Sequence, residues 1–333
     1  MKIESFNIQW HITTLCQNDC SHCYYKQYKF ENSISFERQI EIIDELAIDF
    51  TKYSNNLKIC FTGGDPLLFD KIYKLLEYCN IKGIKTSVLG NPQSISSESA
   101  TQLKQCAIED FQLSIDGPEE IHNQIRKSKT AFKELQEAIR ILKTKDIQVS
   151  LMYTLSQNNY NYLEQTINIA NGWNIDAFCF SRDIKDDYIS EISPIEYKNK
   201  LLDIYNNIIL RNENSKLFLK ENLWKILLYE KGIYSPPLTS PHNFIGGCCI
   251  GYSGLAIMPD GRIYPCSRIP YTIGNAAYDR VYDTFIKFAE AYKKALRKSE
   301  CYSCRYLKFC RGCTAIGYIE HKKLCQKDIH CWI

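Results

Sequence analysis

From Ile8 to Phe180 the chain alternates strand-like runs with helical ones, and few folds accept that order. Ile8-Gln9-Trp10-His11-Ile12-Thr13 and Leu57-Lys58-Ile59-Cys60-Phe61 carry the two-residue period of a strand. Further strand-like runs fall at 84–89, 111–115, 147–155 and 175–180. Between them apolar residues recur at helical spacing: Ile40, Ile43, Leu46, Ala47 and Phe50 behind a capping Ser35, then Ile72, Leu75, Leu76 and Cys79. Thr130 is placed to cap another helix carrying Phe132, Leu135, Ala138, Ile139 and Leu142, and helices are also expected at 97–106 and 159–171. Strands joined through helices of this length predict βαβ units and a parallel sheet. Six such units fall short of a closed eight-stranded barrel. The expected fold is therefore α/β, an open, partial (β/α)6 barrel with its site at the carboxyl ends of the strands.

One loop at that end carries unusual chemistry. Cys16-Gln17-Asn18-Asp19-Cys20-Ser21-His22-Cys23 follows the first strand, with cysteines at i, i+4 and i+7. On a helix the outer two would stand roughly 10 Å apart along the axis. Thiolates meeting on one iron–sulfur cube need a loop folded back on itself, and no helical apolar stripe runs through these residues. An ordinary 4Fe–4S cluster takes four thiolates. Three leave one iron open to another ligand. The bland alternative is three buried cysteines, since free Cys is commonly buried.

Two more segments close strands at the same end. In Gly63-Gly64-Asp65-Pro66 the glycines let the backbone pass close to a ligand, and the carboxylate can accept from an ammonium group, although a plain turn explains the segment as well. Ser114-Ile115-Asp116-Gly117 is followed by His122 and Arg126. An arginine fork there matches a carboxylate bidentately; alternatively Arg126 pairs with Glu119 or Glu120 at the surface. His122 reads as a helix-surface residue. Cys60, Cys79, Cys106 and Cys179 read as small buried hydrophobes, with Cys179 nearest the site.

Hydrophobic residues make up 45% of 333, enough for a full core. A net charge of +3 argues against nucleic acid as the main partner, and Lys293, Lys294, Arg297 and Lys298 read as a solvated helix face. No apolar run approaches a membrane span, and the N-terminus lacks the core of a signal peptide. A cytoplasmic, reducing location is expected, where sixteen cysteines are metal ligands sooner than disulfides.

Beyond a break at Ser235-Pro236-Pro237 to Ser240-Pro241 the cysteines return, nine of the sixteen lying after residue 247. Ile257 to Cys266 reads as a hairpin turning at Asp260-Gly261. Cys301-x-x-Cys304 and Cys310-x-x-Cys313 could, alone, form a zinc ribbon.

Together these motifs resemble the radical SAM superfamily, in the branch with a C-terminal SPASM extension. The Cys16, Cys20, Cys23 loop matches the family's Cys-x-x-x-Cys-x-x-Cys loop, and Gly63-Gly64-Asp65-Pro66 its Gly-Gly-Glu-Pro, with aspartate replacing glutamate. Ser114, Asp116, Gly117 and Arg126 match its Ser-x-Asp-Gly…Arg pattern. Cys248, Gly261, Cys266, Cys301, Cys304, Cys310, Cys313 and Cys331 follow the SPASM order, except that two residues separate Cys310 from Cys313 where three are usual.

The resemblance implies a barrel over 1–185, a helical bridge and Pro-rich linker over 186–245, and an auxiliary-cluster domain over 246–333. It implies a 4Fe–4S cluster on Cys16, Cys20 and Cys23 whose open iron takes S-adenosylmethionine, giving a 5′-deoxyadenosyl radical on reduction. By the same resemblance Gly63, Gly64 and Asp65 hold the methionine amino group, while Ser114 and Arg126 bind the carboxylate or ribose end. Cys248, Cys266 and Cys313 would hold one auxiliary cluster, and Cys301, Cys304, Cys310 and Cys331 a second. Cys249 is either the missing ligand of the first or a hydrogen donor to a substrate radical; Cys325 is spare.

The implied substrate is a ribosomally made precursor peptide, which would be crosslinked, given a thioether or epimerised. The implied electron donor is a low-potential flavodoxin or ferredoxin. With Cys16 so near the start of the chain, a leader is expected to bind the barrel, the bridge or a separate protein. Sulfatase maturation is the runner-up, and an electron-transfer or zinc-binding protein the non-catalytic alternative.

Overall fold

The computed structural model describes residues 2–23, 25, 30, 33–184, 189, 191–210, 220–234 and 247–333. The Pro-rich stretch from Ser235 to Pro241 lies outside the described residues.

Six parallel strands come first: β1 (Ile3–Thr13), β2 (Ser54–Gly63), β3 (Lys85–Leu89), β4 (Asp110–Ser114), β5 (Gln148–Leu155) and β6 (Ala177–Arg182). They lie side by side in the order β6-β5-β4-β3-β2-β1. The helices between them are α1 (Phe36–Asp49), α2 (Ile72–Ile81), α3 (Ser97–Gln105), α4 (Glu119–Arg126), α5 (Ala131–Thr144) and α6 (Leu163–Asn171). This is the α/β partial barrel that the alternation predicts.

Local chemistry starts these helices where the sequence says, with one exception. Ser35 Oγ accepts from the Arg38 amide, and Ser96 and Ser99 form a reciprocal capping box at α3. Thr130 does not cap α5. Its hydroxyl turns to Glu134, and Asn123 Oδ1, reaching over from α4, accepts from the Phe132 amide at 2.9 Å instead.

The two faces of the sheet differ sharply in chemistry. Successive strand side chains point to opposite faces, and one set, Phe6, Ile8, Trp10, Ile59, Phe61, Val88, Phe111, Leu113, Leu151 and Phe178, is buried in the main core with the helices. The other set follows the register from strand to strand: Gln9 beside Cys60, Cys60 beside Ser87, Gln112 beside Ser150, Ser114 beside Met152, Met152 beside Cys179. Cys60 and Cys179 therefore stand on the inner, largely polar face and outside the apolar clusters, whereas Cys79 and Cys106 are in the core. The expectation of a buried core hydrophobe is corrected for Cys60; Cys179, read from sequence as the one nearest the site, is buried on the inner face. In strands with core on one side only, alternation does not announce which parity faces the helices.

The C-terminal region extends this sheet. β7 (Gly254–Ile257) pairs in parallel with the free edge of β1, and β8 (Arg262–Tyr264) and β9 (Gly274–Asn275) follow antiparallel, giving a nine-stranded sheet. Gly261 turns the hairpin at φ +86°, and a Cβ there would meet Asn275 Oδ1 at 2.2 Å. The bridge supplies α7 (Pro194–Ile204), which runs on as a π-helical turn over Tyr205–Ile209, and α8 (Asn222–Glu230). α9 (Val281–Leu296) and α10 (Thr314–His321) complete the described helices. Among the described residues no helix is long and apolar enough to cross a membrane.

Candidate active site

The cysteine loop sits at the carboxyl end of β1 and is clasped from two sides. From the turn after β3, Asn91 Nδ2 donates to Cys16 Sγ at 3.2 Å and to Gln17 Oε1 at 3.3 Å. Gln93 accepts from Asn18, and Ser94 Oγ accepts from Gln17 at 2.6 Å. From the end of α4, Ile125 O accepts the Ser21 amide at 3.1 Å, and Lys127 pairs with Asp19 at 3.0 Å. Within the loop Cys20 is buried and Cys23 partly so, joined by a turn, while Cys16 is exposed.

Arg126 connects this loop to the end of β4. Its Nε donates to Asp116 Oδ2 at 2.6 Å and one terminal nitrogen to Cys20 Sγ at 3.4 Å; the other terminal nitrogen has no partner among the described residues. The partner is thus Asp116, not Glu119 or Glu120. Burial by itself would raise the Asp116 pKa, but Arg126, with His22 and His122 close by, holds it well below the usual carboxylate range. Burial raises the Cys20 thiol, and the guanidinium beside it opposes that. His122 is not a surface residue: it is buried at 2% exposure, and its Nδ1 accepts the Asp116 amide at 3.1 Å. The short α4 turns it inward, where Asp116 supplies a partner.

Ser114 and Arg126 line one small crevice at the surface, together with Asn18, Gly90, Asn91 and His122. Gly63, Gly64 and Asp65 lie behind it. A Cβ on Gly64 would meet Leu15 O at 2.1 Å and one on Gly63 Thr13 O at 2.3 Å, so the close approach these glycines permit is to the root of the cysteine loop. The Gly64 and Asp65 amides donate to Thr13 O and Leu15 O at 2.9 and 2.7 Å. Asp65 is wholly buried; its carboxylate accepts from Ser94 Oγ and the Leu67 amide, and burial pushes its pKa up. Through Ser94 Oγ it is linked to Gln17 of the cysteine loop. Asp116 stands in the Ser-x-Asp-Gly…Arg match without a role of its own there, whereas Asn91 and Ser94 carry no sequence signal beyond lying past the carboxyl end of β3.

The C-terminal thiols fall into two neighbourhoods. Cys266 lies within electrostatic reach of Cys248 and Cys313, and Cys249 within reach of Cys248 and Cys266. Cys301 neighbours Cys331 and Cys304, and Cys310 neighbours Cys331. Burial dominates both, pushing Cys266 up to about 12 and Cys301 to about 11. Cys249 reaches the surface, yet protein crowded about its thiol raises that pKa too. Cys325, pushed up to about 11 by burial, senses both Cys248 and Cys301.

A buried ion network ties these thiols to the barrel. Arg182, at the end of β6, donates to both oxygens of Glu221 at 2.9 Å and both of Asp328 at 2.8 Å. Asp328 Oδ2 in turn accepts the Cys313 amide at 2.8 Å, and Tyr197 of α7 donates to Glu221 at 3.0 Å. Arg268 bonds the Arg182 carbonyl and approaches Cys313 Sγ at 3.7 Å.

The residues present suit iron–sulfur clusters. Among the described residues no three Cys, His, Asp or Glu side chains stand close enough to hold a single metal ion. What they offer is groups of thiols, soft ligands suited to such clusters, with N–H donors aimed at sulfur from Asn91, Arg126 and, at 3.2 Å to Cys310, the Gly312 amide. Such donors favour the thiolate form.

Known proteins agree. The Radical SAM superfamily pattern matches residues 10–170. An AdoMet-dependent heme synthase of Oleidesulfovibrio alaskensis is 24% identical, over 93% of this chain and 83% of that protein. The sporulation killing factor maturation protein SkfB of Bacillus subtilis is 24% identical over 82% of this chain and 62% of its own length. The S-adenosylmethionine-bound structure of SuiB from Streptococcus suis has a TM-score of 0.74 at 17% identity, covering 99% of this chain and 78% of that one. The cysteine loop and the partial barrel over residues 10–170 thus belong to the radical SAM superfamily, and the chain as a whole shares its fold with SuiB.

Proposed function

We propose that this radical SAM enzyme removes a hydrogen from a ribosomally made peptide and so crosslinks or epimerises it. The observation that carries the peptide is the inner face of the sheet, where Gln9, Thr62, Ser87, Gln112, Ser114 and Ser150 present amide and hydroxyl groups. A peptide backbone needs such partners when it leaves water. A flat macrocycle needs apolar walls. The family likeness adds SuiB, whose structure is also known with its precursor peptide SuiA bound.

When bound, the cluster and S-adenosylmethionine supply a 5′-deoxyadenosyl radical able to attack an unactivated C–H bond. Cys16, Cys20 and Cys23 would hold that cluster. The Arg126 terminal nitrogen that has no partner among the described residues, lining the same crevice as Ser114, would take the cofactor's carboxylate or ribose end. Asp65 keeps the loop in shape through Ser94 and Gln17. Cys248, Cys266 and Cys313 would hold one auxiliary cluster and Cys301, Cys304, Cys310 and Cys331 the other. Cys249, beside Cys248 and Cys266, is better placed as a fourth ligand than as a hydrogen donor.

A second reading, a step of heme synthesis, has one observation in its favour: AdoMet-dependent heme synthases are among the relatives that align along almost the whole chain. One experiment separates the two. Anaerobic enzyme with S-adenosylmethionine and a reductant is given, as candidate precursor peptides, the products of short reading frames beside its gene and, separately, Fe-coproporphyrin III. A mass change in one of the peptides with the porphyrin intact is expected; loss of carbon dioxide from the porphyrin with every peptide intact would overturn the peptide reading.

A further inference from the structure

One cation on the polar inner face has no use in the reading above. Lys220, two residues before α8, extends from an exposed position on the bridge, and its ammonium donates to Gln112 Oε1 of β4 at 2.7 Å. Gln112 is a neutral partner. Among the described residues no carboxylate lies within ion-pairing distance of Lys220, although β4 carries one nearby: Asp110, which is taken by Lys58 at 2.7 Å and bonded by Ser150. Two thiols of the inner face, Cys60 and Cys179, on strands at opposite sides of β4, are pushed up by burial, and the ammonium's charge opposes that. A solvated surface lysine would not reach the middle of a barrel strand. Here a long flexible stem crosses from an exposed backbone position onto the polar inner face, the chamber in which the reading above seats a substrate, and among the described residues its charge meets no carboxylate.

We propose that Lys220 is a substrate-binding residue that anchors a carboxylate in the chamber, with Gln112 holding the ammonium in place until the substrate arrives. The ligand class is a carboxylate, carried by an acidic side chain or the C-terminus of a peptide; this rests on the peptide reading, and a porphyrin propionate is the other source of the same group. A hydrogen bond to a charged group contributes enough to change binding about 10- to 100-fold.

The test uses the holoenzyme, wild type and K220Q, K220R, with the precursor peptide and versions of it in which each carboxyl group in turn is an amide. K220Q keeps a donor for Gln112 but removes the charge. The expected result is a KM raised about 10- to 100-fold in K220Q, partial rescue in K220R, and one amide peptide that costs wild type the same and K220Q nothing further. Iron content and the visible spectrum, matching wild type, show that the variant is folded and loaded. A KM unchanged by K220Q, or by every amide substitution in wild type, overturns the anchor while leaving the peptide reading intact. If the enzyme acts on Fe-coproporphyrin III and not on the peptide, that reading fails instead. The anchor is then decided by whether K220Q raises the KM for the porphyrin by the same factor.

Discussion

The two thiol-bearing regions solve different problems with the same residue. At the N-terminal loop the thiols are held from outside: Cys16 is exposed, and distant side chains, Asn91 and Arg126, reach in to donate to sulfur. At the C-terminal end most thiols are partly buried and Cys249 is exposed, but the surrounding chain is locked by an ion network with no exposed member. An open rim suits a site that must admit and release a ligand at each turnover. A dry, locked surround suits groups that are installed once.

The largest effect expected from this contrast comes from breaking the lock. Arg182→Met leaves Glu221 and Asp328 buried without their cation, which costs about 3–5 kcal/mol and releases the Cys313 amide's partner. Chemical denaturation should show the loss, with iron lost from the C-terminal region before the loop's. Retention of both stability and iron would mean that the network is incidental.

Next in size is the root of the loop. Gly64→Ala drives a methyl group into Leu15 O, an overpacking cost of about 1–3 kcal/mol. Its visible consequence should be weaker S-adenosylmethionine binding by equilibrium dialysis, with the C-terminal iron retained.

A third probe is acid. Burial lowers His11, on β1, to about 3, from 6.5. The folded pKa is depressed, so the unfolded chain takes up a proton that the folded chain refuses. Stability from this group is complete above pH 6.5 and falls by about 1.4 kcal/mol per pH unit as pH drops toward 3. Denaturation at several pH values should show that slope reduced in His11→Gln. The smallest effect belongs to the α3 cap, beside the Ser94 turn that clasps the loop: Ser96→Ala removes it, costs about 1 kcal/mol, and should leave the C-terminal iron unaltered.

How much of this was legible beforehand follows the range of each interaction. The strand order, the helix starts at Ser35 and Ser97, the hairpin at Gly261 and the grouping of cysteines are written in local period and spacing. The pairing of β7 with β1 is not, because a sheet edge leaves no mark in the segment that will cover it. His122 was misjudged because α4 is two turns long and its polar residues outnumber its apolar ones, so the buried histidine could be placed only once Asp116 was seen beside it. Asn91 and Lys220 sit in connecting segments with no periodic pattern, and their partners are far away along the chain.

The central claim, that the open N-terminal loop and not the closed C-terminal region engages S-adenosylmethionine, is tested most directly by one comparison. Cys16, Cys20 and Cys23 are replaced together by alanine, and the anaerobically purified protein is assayed for iron–sulfur absorption and for 5′-deoxyadenosine released from S-adenosylmethionine after reduction. The account predicts a protein still coloured by its C-terminal clusters that releases none. Release at the wild-type rate, or a colourless protein whose C-terminal thiols hold zinc, would contradict it.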